Sequence, residues 1–233
     1  MISPQNLALF DLDHTLLPLD SDYQWADFLA RTGRVGDPIE AQRLNEELMD
    51  RYNAGNLSAE ESAEFMLGLI ANQPRETLMQ WQEAFMKEVI FPAILPQAQE
   101  LVNKHLAQGD LCAIVTATNE FVTSPIAKAF GFKHLIATIP EFEEGIFTGR
   151  IYGVPSFQAG KITRVDQWLH ELGLKRDQFE KVWFYSDSPN DLPLMEVVSD
   201  PVATNPSDRL RQIAQERNWQ IIDLFDDLLD AKS

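Results

Sequence analysis

Two aspartates, Asp11 and Asp13, stand directly after the apolar run Leu7-Ala8-Leu9-Phe10. Carboxylates at the end of a buried strand repel each other unless a cation or a shared proton stabilises them. Asp187 and Asp191 follow a second apolar run, Val182-Trp183-Phe184-Tyr185, and supply further carboxylates. A hard divalent cation answers the repulsion, because Mg²⁺ takes oxygen ligands and leaves positions for water and phosphate oxygens. Such a constellation implies a definite reaction. Asp11 attacks phosphorus, and Asp13 protonates the leaving alkoxide and then deprotonates the water that cleaves the acyl phosphate. Thr116, at the end of the run Leu111 to Val115, offers a hydrogen bond to a phosphoryl oxygen. Lys161, next to Gly160 at a helix start, offers positive charge. Asn190 holds the metal loop or touches phosphate, with a plain turn role as the alternative.

These residues are far apart in the chain, so the elements must bring them together. Apolar runs at 7–10, 111–115, 134–139 and 182–186, with a short one at 201–204, read as strands. Helical stretches lie between them: 97–107, 122–130, 161–172 and 209–217, several closed by a glycine. Strands alternating with helices imply a mostly parallel α/β sheet covered on both faces. Ligands in such sheets sit at the carboxyl ends of the strands, where Asp11, Thr116 and Asp187 fall. Residues 146–152 suggest a short hairpin. From about 21 to 87 the pattern is helical only, with Trp25, Phe28 and Leu29, then Leu44 and Leu48, then Phe65 to Ile70, then Leu78, Trp81 and Phe85 at helical spacing. Ser58 with Glu61 reads as a capping box. The aromatic stripe of this block reads as its core.

The chain has 233 residues, 45% hydrophobic and 24% charged, which suits one α/β domain with an accessory unit. Asp and Glu number 36 against 19 Lys and Arg, a formal charge of −17. That balance argues against nucleic acid or an anionic membrane as partner. A single cysteine, Cys112, precludes an internal disulfide and reads as a small buried hydrophobe. No leader or membrane-length segment is evident, so a soluble, cytoplasmic protein is expected. His105, His134 and His170 show no metal spacing, and His14 reads as structural because Asp13 already supplies an acid/base.

Four motifs together resemble the haloacid dehalogenase-like phosphatases: Asp11-Leu12-Asp13-His14-Thr15-Leu16, Thr116, Lys161, and Tyr185-Ser186-Asp187-Ser188-Pro189-Asn190-Asp191. The resemblance implies a Rossmann-like core of residues 1–17 and 92–233, with a helical cap, 18–91, inserted after the first strand. It implies Mg²⁺ ligation by Asp11, the main-chain carbonyl of Asp13, and Asp187. Asp191 would hydrogen-bond behind these ligands or reach the metal through water. Dehalogenases of the family lack an acid at the position of Asp13, so the resemblance favours phosphate esters.

The helical block is similar to the cap of the phosphoserine phosphatase-like branch. Asp20 lies where that branch often has a Glu reaching substrate, although Asp20 and Asp22 read equally as caps of the first helix. Residues 55–62 are similar to a cap segment in which an Arg four residues beyond the Ser grips a substrate carboxylate, and this chain has Met66 in that helix. Ala117 and Thr118 replace a glycine pair after the second motif, which places Ala117 beside Thr116 at the phosphate. Some bacterial members of this branch are histidinol-phosphate phosphatases. The expected substrate is a small phosphate ester, histidinol phosphate or another amino-alcohol phosphate. Phosphoserine hydrolysis, phosphotransfer to another acceptor and a non-catalytic binding module are the alternatives.

Overall fold

The structure, a computed structural model, describes residues 5–53 and 59–225. Residues 55–58, with the capping box expected at Ser58, lie outside the described residues. Strand β1 (Asn6–Phe10) pairs in parallel with both β2 (Leu111–Asn119) and β5 (Lys181–Ser186), so Leu9 faces Ala113 on one side and Phe184 on the other. Beyond β2 lies β3 (His134–Glu143), and beyond that the antiparallel β4 (Ile146–Tyr152). Beyond β5 lie β6 (Asp200–Thr204) and β7 (Gln220–Ile222). The seven-stranded order is β4-β3-β2-β1-β5-β6-β7.

A parallel sheet covered on both faces needs strands with near-continuous apolar runs, and Leu7 to Phe10 of β1 meet this requirement. Its side chains alternate between two cores. Ala8 and Phe10 join Cys112, Ile114 and Val202 on one face, while Leu7 and Leu9 join Ala113, Val115, Phe184 and Leu210 on the other. Cys112 is buried and unpaired, and burial pushes its thiol up to about 12, with Asp110 adding to the effect. The second core is covered by α8 (Ala159–Glu171) and α10 (Asp208–Glu216), through Val165, Leu169, Leu210 and Ala214.

The block between β1 and β2 is helical, as its spacing predicts: α1 (Ser21–Arg31), α2 (Pro38–Asn53), α3 (Ala59–Gly68) and α4 (Arg75–Phe85). The last runs on through a π-helical turn, Met86–Ile90, into α5 (Phe91–Ala93), followed by α6 (Pro96–Gln108). Apart from a small cluster of Ala26 and Met66, this block has no core of its own among the described residues. Trp25, Phe28, Leu67, Ile70 and Phe85 belong to the same apolar cluster as Phe10, Ile114, Ile126 and Phe130 of the sheet side, the last two on α7 (Glu120–Phe130). Trp25 lies edge-on to Phe85 at 5.2 Å. Phe65 and Trp81, expected in the aromatic core, are only half-buried, and Leu44 is 41% exposed, so α2 turns part of its apolar face outward.

One further difference concerns the sheet. The strand expected at 134–139 continues to Glu143 and itself forms the hairpin with β4, turning at Glu144 and Gly145, both at positive φ. That hairpin reaches the helical block: the amide of Asn72 donates to the Phe147 carbonyl at 3.0 Å. Strand β7 forms the edge of the sheet beyond β6.

Candidate active site

The ladder between β1 and β5 runs one residue past the strand, with the amide of Asp11 donating to the Tyr185 carbonyl at 2.9 Å. The chain then folds into a tight loop. The amides of Leu16 and Leu17 both donate to the Leu12 carbonyl, and Leu12, Leu16 and Leu17 are fully buried. His14 takes a positive φ of 57°, and the Asn205 amide group secures the loop through the carbonyls of His14 and Thr15, each at 3.1 Å. Asn205 carries no motif signal; its role comes from the strand beside the loop.

Thr15 ties the first acidic cluster to the fourth motif. Its hydroxyl lies 3.2 Å from Asp11 Oδ2 and 3.2 Å from Asp187 Oδ1, and it accepts from the Asp187 amide at 3.1 Å. A hydroxyl has one proton, so it serves one carboxylate at a time. On the other side of Asp11 sits Lys161, whose ammonium donates to Asp11 Oδ1 at 2.8 Å and lies 2.7 Å from Asp191 Oδ1. Ser186 donates to Asp191 Oδ2 at 2.8 Å. Lys161 falls in the first turn of α8. Gly160 precedes it because the chain passes against itself there: a Cβ on Gly160 would stand 2.2 Å from the Pro155 carbonyl oxygen.

Asp11 and Asp13, which an extended chain would point alike, diverge. Asp13 Oδ1 accepts from the Ser21 amide at 2.7 Å and Oδ2 from the Thr118 hydroxyl at 2.9 Å. The loop geometry after β1 causes the separation, and Thr118 is a contact that the motifs do not announce. Thr116 is buried and accepts from the Thr118 amide at 3.2 Å. Asp20 caps α1, accepting from the Tyr23 amide at 2.8 Å, and Asp22 accepts from the Asn119 amide group at 3.3 Å. Asn119 also caps α7 through Val122, so one side chain joins the end of β2 to α1.

The acidic groups meet in one cavity of about 560 Å³. Asp11, Asp13, Asp20, Thr116, Ala117, Lys161, Asp187, Asn190 and Asp191 line it, as do Asp22 and His14. From the helical block come Tyr23, Gln24, Ser62, Ala63 and Met66. Asp20 thus serves as a helix cap and lines the cavity as well.

The electrostatics are lopsided: the lining holds six aspartates and one lysine. Burial pushes the Asp11 carboxyl up to about 7; Lys161 pulls against this, and Asp191 and Asp13 add to it. Burial, Asp11 and Asp191 push Asp187 up to about 8. Burial and Asp20 push Asp13 up to about 6 against the hydrogen bonds from Ser21 and Thr118. Burial likewise raises Asp20 and Asp22. Burial alone would lower the Lys161 ammonium, but Asp11 and Asp191 reverse this and hold it above its ordinary value.

Among the described residues no three His, Cys, Asp or Glu side chains form a metal cage. The donor set that remains is two carboxylates flanking one hydroxyl, Asp11 and Asp187 about Thr15. It is all oxygen, hard and short of positive charge, which fits Mg²⁺. No helix among the described residues is long and apolar enough to cross a membrane.

The chain is 40% identical over 219 residues to a histidinol-phosphatase of Neisseria meningitidis serogroup C (strain 8013), covering 94% of this chain and 98% of that one. A crystal structure of a protein of unknown function from Bordetella pertussis Tohama I superposes with a TM-score of 0.94 at 62% identity, covering 96% of this chain and all of that one, a full 100%. A substrate-bound phosphoserine phosphatase shares the fold at a TM-score of 0.65 and 16% identity, over 95% of this chain and 94% of its own. The profile of the haloacid dehalogenase-like hydrolases matches residues 8–196, a span that holds Asp11, Thr116, Lys161 and Asp187; the chain belongs to that family.

Proposed function

We propose that the chain is a Mg²⁺-dependent phosphomonoesterase working through an aspartyl-phosphate at Asp11. The observation that carries this is the division of labour between two carboxylates two residues apart. Asp11 is held by Lys161 and Thr15, and Asp13 is held separately by Thr118 and Ser21. In the first step an Asp11 carboxylate oxygen forms a bond to phosphorus as the ester P–O bond breaks, and Asp13 gives its proton to the departing alkoxide. In the second step Asp13 takes a proton from water, whose oxygen bonds to phosphorus as the acyl-phosphate bond breaks. Asp11 is then regenerated. Thr116, Ala117, Lys161 and Asn190 bind the phosphoryl oxygens. Asp11, the Asp13 carbonyl and Asp187 would hold Mg²⁺, which when bound would neutralise charge on the nucleophile and the phosphoryl group. Asp191 stands behind this set and fixes Lys161.

Residues 18–91 act as a cap over a core of 1–17 and 92–233, and the cap side selects the leaving group. That side offers Asp20, Asp22, Tyr23, Gln24 and Met66. Among the described residues the cavity lining contains no arginine, so the obvious partner for a substrate carboxylate is missing there and phosphoserine is disfavoured. Two carboxylates instead suit a cationic leaving group. An amino-alcohol phosphate fits, histidinol phosphate among them, and the name of the Neisseria relative supports this choice. One buried, unpaired cysteine suits a reducing cytoplasm.

Asp11→Asn should abolish Mg²⁺-dependent phosphate release from 4-nitrophenyl phosphate, and unchanged turnover would refute the mechanism. A panel of phosphate esters should rank histidinol phosphate above phosphoserine; the reverse order would overturn the substrate reading. Product analysis with added alcohols separates hydrolysis from phosphotransfer. Absence of EDTA-sensitive turnover on every ester would leave a binding module.

A further inference from the structure

Each oxygen of the Asp13 carboxylate has its own donor, and the two donors come from different parts of the fold. Oδ1 accepts from the Ser21 amide at the start of α1, at 2.7 Å. Oδ2 accepts from the Thr118 hydroxyl on β2, at 2.9 Å. Thr118 is 4% exposed, and its own amide is tied to Thr116 Oγ1 at 3.2 Å. Its β-branched side chain has few rotamers, so the hydroxyl oxygen is placed with little freedom, and its one proton serves Asp13 or the neighbouring Asp22. Asp13 lies on the turning loop after β1, and Thr118 holds it from the sheet that carries Thr116.

Proton delivery to a leaving oxygen requires the acid within hydrogen-bond reach of it. A displacement of about 1 Å at such a group costs on the order of a hundredfold in rate. We propose that Thr118 is a positioning residue, whose hydroxyl fixes the Asp13 carboxyl in line with the leaving-group oxygen of the phosphate ester. The inference rests on the reading of Asp13 as the acid.

The dependence on the leaving group isolates this role. The ratio kcat/KM covers the steps up to departure of the alcohol. A 4-nitrophenolate leaves with little protonation, phenolate needs more, and a benzyl alkoxide depends on it. Thr118→Val keeps the shape and removes the hydroxyl. With Mg²⁺ present, it should lower kcat/KM for benzyl phosphate at least about tenfold more than for 4-nitrophenyl phosphate, with phenyl phosphate between them. Thr118→Ser should restore the wild-type ratio among the three esters. Thr118→Ala serves the same comparison where the valine variant does not fold. An equal loss on all three esters, or no loss, overturns the proposal, because a general disturbance of the cavity does not discriminate between leaving groups. Asp13→Asn, measured alongside, separates the two levels. If it too lacks leaving-group dependence, the reading of Asp13 fails. If it shows the dependence and the Thr118 variants do not, only the role of Thr118 fails.

Discussion

Lys161 shows how one side chain links stability to chemistry. Its ammonium is buried between Asp11 and Asp191, so removing it strands two carboxylates away from water. Breaking a buried pair in this way costs about 3–5 kcal/mol, more than the pair itself contributes. Lys161→Met should therefore lower the unfolding free energy of the metal-free protein by about that amount at pH 8. At pH 5 the loss should shrink, because Asp11, already raised to about 7 beside Lys161, is protonated there and leaves one stranded charge fewer. Urea unfolding at the two pH values checks this, and an equal loss at both contradicts it. At this scale the sequence is most informative where chemistry dictates residue type. Asp11, Asp13, Lys161 and Asp187 are singled out by their motifs, and the structure brings all four to one cavity. Thr118 and Asn119 are not readable in the same way. Their partners, Asp13 and Asp22, lie about a hundred positions away, and the contacts depend on how the loop at His14 bends.

Among the elements, β1 was the easiest to anticipate, since burial on both faces leaves no room for polar alternation. The helical block between β1 and β2 was legible from its spacing, but the solvent-facing Leu44 of α2 carries the same pattern as a core residue. At the start of α8 the sequence shows Gly160 beside Lys161, and the structure gives the glycine its reason: the close approach of Pro155 forbids a side chain there. Gly160→Ala places a methyl group against backbone, which a rotamer change cannot relieve. It should cost about 1–3 kcal/mol and displace the neighbouring Lys161, lowering kcat as well. Thermal melting together with turnover of 4-nitrophenyl phosphate tests both parts; a stable, fully active variant would show that the segment before α8 yields freely.

For the molecule as a whole, the concentration of acid in one cavity sets the response to pH. Asp11, Asp13 and Asp187 titrate higher in the folded protein, at about 7, 6 and 8, than the ordinary value of 3.8. The folded state therefore binds more protons than the unfolded state between about pH 4 and 8, and these groups contribute less stability as pH rises through that window. A cation bound to the ionised carboxylates offsets the loss. The melting temperature in EDTA should fall from pH 6 to pH 8, and Mg²⁺ should raise it more at pH 8 than at pH 6. A Mg²⁺ shift independent of pH would argue against competition between metal and protons.

The sharing of Trp25, Phe28 and Phe85 with Phe10 and Ile114 bears on how the chain comes apart when heated. Two bodies with private interiors can melt one after the other. Here the helices between β1 and β2 cannot detach without stripping the sheet of one of its faces. Calorimetry should record a single endotherm whose calorimetric and van't Hoff enthalpies agree. Two resolved peaks would mean that the helices melt independently of the strands beneath them.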